Sequence, residues 1–152
     1  MDKDTLDHLK TLHTAAVDAR NGYQEALEDA EGRGCSALFR DMIALHEGNA
    51  RALAAELTKA GETPDDNGSF MSVVHQTIMN IRSLFSGLDE SVLPGLIDGE
   101  KRNVSKYDDA LRDVSGQPVA ALLTTQRGQL QQKIAQMELE QADFDRTADA
   151  TR

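Results

Sequence analysis

Glu100 is the residue best placed to do chemistry in this chain. It interrupts an apolar helical stripe between Leu96 and Val104, a spacing that turns its carboxylate toward the inside of a fold. A carboxylate removed from water must meet a cation, a proton or hydrogen-bond donors. Four histidines could supply nitrogen. His8 lies off the stripe of its segment and reads as solvated. His13 and His46 fall on apolar stripes and read first as core-edge histidines with one hydrogen bond each, and otherwise as inward-facing candidates for metal ligation. Antiparallel pairing around a turn near residue 33 sets His13 near Leu53 and His46 near Arg20, so these two imidazoles are not expected to meet. His75 reads either as a ligand- or partner-contacting group or as the edge of an amphipathic helix. Cys35 follows a Gly-rich turn and opens a helix, where the dipole can favour a thiolate, but no neighbour calls for reactivity.

The sequence holds no Glu-x-x-His, no His-Glu-x-x-His and no His-x-x-Glu-His. It also lacks the Gly-rich phosphate cradles and the Gly-x-Ser-x-Gly of a serine nucleophile. Asp65-Asp66-Asn67-Gly68 lacks the ligand spacing and closing Glu of a calcium loop and reads as a solvated turn.

The elements that position these groups are helices. Apolar or small residues recur at three, four and seven along Leu6, Leu9, His13, Ala16, Tyr23 and Leu27, then again along Leu38, Met42, Leu45, Leu53 and Leu57. The spacing predicts helices over about 3–31 and 35–60, a shorter one over 69–86 capped by Ser69, and two more over 91–115 and 118–147. Pro94 suits the first turn of the fourth, where an amide donor would be unpaired anyway. A polar tail from Thr147 onward is expected to fray.

Shifted by 84 residues, the chain aligns with itself: Tyr23-Gln24-Glu25-Ala26-Leu27-Glu28-Asp29 falls on Tyr107-Asp108-Asp109-Ala110-Leu111-Arg112-Asp113, Gly32 on Gly116 and Glu56 on Glu140. This describes two helical hairpins that bury their stripes against one another, with the 69–86 helix in a long crossover. The expected fold is all-α, a single ferritin-like four-helix bundle spanning 1–152.

The Tyr-containing element in both halves, Gly68-Ser69 with His75 six residues on, and Gly99-Glu100 before Tyr107 resemble a bacterial four-helix-bundle family of unknown function within the ferritin-like superfamily. Rubrerythrin-like proteins are its distant, better-understood relatives. In them, the resemblance implies, an inward Glu lies seven residues before each Tyr and a Glu-x-x-His lies on each second helix, together holding two iron ions. Glu100 matches that position before Tyr107, but Ala16 stands before Tyr23. The stretches opposite read Asn49-Ala50-Arg51-Ala52-Leu53 and Lys133-Ile134-Ala135-Gln136-Met137, which supply no such ligands. The di-iron site is therefore expected to be degenerate, with no cofactor. Two readings of Glu100 remain open: an ion pair with Lys133 inside a polar cluster that includes Tyr23 and Tyr107, or hydrogen bonds to Gln129, Gln132 or water.

Composition narrows the function classes. With 152 residues and a formal charge of −10, the chain suits one domain and lacks a broad basic surface for nucleic acid or anionic lipid. No apolar run approaches the ~18 residues of a membrane span, and the charged first thirty residues and single cysteine point to the cytoplasm. The expectation is a non-catalytic structural or interaction protein that forms a homodimer, with Met42, Met71, Met79 and Phe70 of the type that buries against a second copy. The alternative is a metal-binding protein, an iron-using oxidase or store, that combines Glu100 with His13, His46 or His75.

Overall fold

The computed structural model describes residues 1–30, 35–64 and 92–150. Among them the chain forms four helices and no strand: α1 (Lys3–Ala30), α2 (Ser36–Lys59), α3 (Leu93–Asp113) and α4 (Val119–Ala150). The arrangement is all-α and consistent with a four-helix bundle. α1 lies along α2, α3 along α4, and the two hairpins meet mainly through α1 and α3. The helix expected over 69–86, with His75, lies outside the described residues, as do Gly32 and Gly34.

Local chemistry explains the helix ends. Asp2 accepts the Thr5 backbone N–H at 2.8 Å, closing an orphan donor at the start of α1. That amide holds the Asp2 carboxyl below its ordinary range. Gly61 (φ +85°) and Gly116 (φ +84°) follow α2 and α3 in the left-handed region that side-chain-bearing residues rarely adopt. Pro94 sits in the first turn of α3. The last helix departs from expectation by continuing past 147 to Ala150. Thr147 donates to the Asp143 carbonyl at 3.0 Å and Arg146 pairs with Asp143, contacts one turn apart that suit a solvated helix.

Cross-hairpin contacts fix the direction of packing. Thr5 Oγ1 donates to Gln117 Oε1 at 3.1 Å, and His8 Nε2 lies 2.6 Å from Asp113 Oδ2, so the start of α1 is tied to the end of α3 and the turn after it. Further along, Tyr23 reaches Glu100. Rising numbers on α1 thus meet falling numbers on α3, and the two helices run antiparallel.

The internal repeat is written into the core. At the 84-residue shift, Leu9 and Leu93, Tyr23 and Tyr107, Ala26 and Ala110, Phe39 and Leu123, and Leu53 and Met137 are buried at both members of each pair. Each hairpin therefore turns the same face inward, although its residue types are only partly the same. Burying one such face without the other would leave an apolar stripe in water, so the hairpins stabilise each other chiefly by removing that stripe from solvent.

Candidate functional site

Glu100 on α3 is 3 % exposed, although a carboxylate is among the side chains least often buried without partners. Its stripe position dictates this: flanking Leu96 and Val104 pack into the core, and position 100 cannot turn outward without taking them with it. Two side chains from the other hairpin meet it. Tyr23 on α1 donates its phenol to Glu100 Oε1 at 3.1 Å, and His46 Nε2 on α2 lies 3.0 Å from the same oxygen, as a donor in the tautomer that carries the proton there.

Aromatic packing holds the two donors in place. The Tyr23 ring stacks on the His46 ring with centroids 5.9 Å apart and 17° between planes, and its other neighbour Phe39 lies at 5.9 Å, tilted by 47°. His46 is itself buried at 2 % exposure. Burial first, then the Glu100 charge and its hydrogen bond, raises the Tyr23 phenol well above the ordinary tyrosine range, so Tyr23 stays protonated and able to donate. Glu100 Oε2 is buried and has no hydrogen-bond partner.

The other tyrosine behaves differently. Tyr107 donates to Gln126 Oε1 at 2.8 Å, and Gln126 Nε2 passes the chain on to the Asn49 carbonyl at 3.3 Å. Burial, and secondarily the Glu100 charge, also raises the Tyr107 phenol above its usual range. Beside Tyr107 lies a cavity of about 10 Å³ lined by Ala16, Leu130, Tyr107 and His46 together with Leu12, Ala15 and Asn103. That is room for about one water.

The two places are related by the repeat. The 84-residue shift carries Tyr23 onto Tyr107, Ala16 onto Glu100 and His46 onto Leu130. Antiparallel packing of α1 on α3 then makes the contact between Ala16 and Tyr107 the counterpart of the one between Glu100 and Tyr23. Tyr107, Ala16 and Leu130 do converge, on the wall of the cavity. One centre carries a carboxylate and an imidazole; at its twin a methyl and an isobutyl group stand in their places beside a small cavity, and Tyr107 bonds to Gln126 instead.

Among the other sequence candidates, Lys133 does not reach Glu100. Its ammonium is 3.9 Å from Asp41 at the rim, where it keeps its hydration, so the internal Glu100–Lys133 ion pair is replaced by the Tyr23 and His46 donors. The hydrogen bonds of Glu100 run to Tyr23 and His46 rather than to Gln129 or Gln132. Tyr107 belongs to the Gln126 chain rather than to the carboxylate. His13 is buried on α1 at 2 % exposure, and Cys35 is buried at 2 % at the start of α2, away from solvent oxidants. Pairing within each hairpin says nothing of contacts between hairpins, so the sequence brings His46 to Glu100 only in the metal-binding alternative and not as a hydrogen-bonded pair. It missed Gln126, although a glutamine between Leu123 and Leu130 on the apolar stripe was a readable signal.

The donor set does not fit a pair of iron ions. Such a cage needs several carboxylates and imidazoles converging from four helices. Here the two protein donors already occupy one oxygen of Glu100, and methyl and isobutyl groups stand at the twin positions of the carboxylate and the imidazole. Among the described residues no group of three or more His, Cys, Asp or Glu gathers to hold a cation.

Residues 4–113, from the first turn of α1 to the end of α3, match a family described as Domain of unknown function (DUF2383). The chain belongs to this family. The DUF2383 match includes Tyr23, His46 and Glu100 and stops before α4, which carries Gln126 and Leu130. No curated protein and no solved structure matches the chain. No helix among the described residues is long and apolar enough to cross a membrane.

Proposed function

We propose that this DUF2383 chain is a non-catalytic bundle of ferritin-like topology, a cytoplasmic structural or interaction protein that self-associates, with a hydrogen-bonded core in place of a metal centre. The observation that carries the reading is the capture of Glu100 Oε1 by Tyr23 and His46, while Ala16 and Leu130 leave the twin position without ligands. Ferritin-like topology is supported by two hairpins joined by a long connection and by α1 running antiparallel to α3. Of the side chains expected to bury against a second copy, Met42 lies instead in this chain's own core, and Phe70, Met71 and Met79 lie outside the described residues, so self-association stands on the sedimentation test below.

Anaerobic loading of the purified protein with iron, manganese or zinc is the test. The expected result is no stoichiometric uptake; stoichiometric binding that Glu100→Ala abolishes overturns the reading. Sedimentation is expected to give a dimer, twice 16.6 kDa, and a single 16.6 kDa species at tens of micromolar removes the self-association. A second reading, one cation held by Glu100 and His46, is favoured by the unpartnered Glu100 Oε2, an acceptor left free for it. The same loading experiment decides between the two.

A further inference from the structure

The repeat makes the two hairpins near-equivalent partners, yet only one way of pairing them completes the polar trio. We propose that Tyr23, His46 and Glu100 form a recognition key by which the α1–α2 hairpin selects the α3–α4 hairpin and rejects a second copy of itself. This rests on the reading of the trio as free of metal and adds to it the partner that the trio chooses.

The packing rule observed between α1 and α3 gives the consequences of wrong pairing. Were an α1–α2 hairpin to dock on another of its kind, position 16 would occupy the place of Glu100. Tyr23 and His46 would then face Ala16 and lose their acceptor, twice over by symmetry. Were an α3–α4 hairpin to dock on its own kind, Leu130 would occupy the place of His46. Each Glu100 would keep a single phenol donor, from Tyr107, and two carboxylates would be buried where one is buried now. Both errors strand buried polar groups, whereas the apolar positions shared by the hairpins, such as Leu9 with Leu93 and Ala26 with Ala110, tolerate either arrangement. Discrimination therefore falls to the buried polar contacts between the hairpins, and of these, among the described residues, the trio is the one that holds a carboxylate, the other being Gln126 on the Asn49 carbonyl. A buried polar contact that excludes alternatives in an otherwise apolar interface is an established physical device.

The repeat also supplies a test that a merely stabilising cluster would not pass: the key can be moved to its twin position. Three full-length proteins are compared by analytical ultracentrifugation over a range of concentrations. They are the wild type, a keyless variant (His46→Leu with Glu100→Ala), and a moved-key variant that adds Ala16→Glu and Leu130→His. The last presents the carboxylate and imidazole to Tyr107 on the wall of the present cavity. The wild type is expected to give one species. The keyless variant is expected to give a mixture containing larger assemblies, and the moved-key variant to return to the single wild-type species. A keyless variant as uniform as the wild type overturns the proposal, as does a moved-key variant as heterogeneous as the keyless one. Should the keyless protein fail to fold, the moved-key protein decides alone: a folded single species supports the key and an unfolded or mixed product overturns it. Metal uptake by the wild type would defeat the metal-free reading on which this stands; failure of the moved key without such uptake defeats only the key.

Discussion

Tyr23 and Tyr107 occupy equivalent places in the two halves of the repeat, yet one serves a carboxylate and the other a glutamine. The difference lies in what each finds across the interface. Tyr23 meets Glu100 and is backed by His46, whereas Tyr107 shares a cavity wall with Ala16 and bonds to Gln126. Repetition of a backbone thus fixes where polar groups are buried, and the side chains opposite decide what chemistry the burial permits. A full complement of ligands at both centres would cage cations. At one centre Tyr23 and His46 serve one oxygen of Glu100 and leave the other without a partner, and at its twin Tyr107 bonds to Gln126 beside a small cavity of about 10 Å³.

The largest expected effect comes from breaking the polar centre on one side only. His46→Leu leaves the buried Glu100 with a single donor and should lower unfolding free energy in urea by about 3 kcal/mol, the upper end of the cost of removing a hydrogen bond from a buried carboxylate. A loss below about 1 kcal/mol would mean that the carboxylate finds water or another partner and that the two centres differ little.

Alkaline titration probes both centres at once. Each phenol has a folded pKa raised above the ordinary value of 10.0, so above that pH the unfolded chain releases a proton that the folded chain retains. Stability must therefore fall as pH climbs past 10, by about 1.4 kcal/mol per pH unit for each tyrosine until its folded pKa is reached. Since the chain has only two tyrosines, phenolate absorbance should rise together with the loss of helical circular dichroism. Absorbance that rises while the helices remain intact would show that at least one phenol is open to solvent.

The smallest effect separates the tyrosines from each other. Tyr23→Phe removes a hydrogen bond to a carboxylate and is expected to cost about 2 kcal/mol, against about 1 kcal/mol for Tyr107→Phe, whose acceptor is neutral. Equal losses, or the reverse order, would dissolve the distinction between the centres.

Much of the framework was legible in the sequence. Apolar stripes at helical spacing, Pro94, Gly61 and Gly116 locate the four described helices because backbone geometry and donor accounting act locally. The inward placement of Glu100 was legible for the same reason, since its stripe neighbours Leu96 and Val104 leave it no other side. Of its partners, Tyr23 was legible as a member of the same polar cluster, whereas His46 was legible only as a metal ligand beside it. Lys133 lies on the neighbouring helix of its own hairpin and drew the ion-pair reading, but its long side chain gains more by keeping its charge at the rim beside Asp41. His46 reaches Glu100 only because α1 and α3 pack antiparallel, a relation between hairpins that no local pattern encodes. Gln126 was hidden by the same gap, its role depending on what Tyr107 fails to find at Ala16.

The central claim is that Glu100 and His46 act as a pair, each burying the other's polarity between the hairpins. A double-mutant cycle in urea measures this directly, with Glu100→Ala and His46→Leu made singly and together. The account predicts that the double variant is more stable than His46→Leu alone, because it leaves only the neutral Tyr23 phenol without an acceptor instead of a buried carboxylate short of a donor. Losses that simply add, with the double variant the least stable of the set, would contradict it.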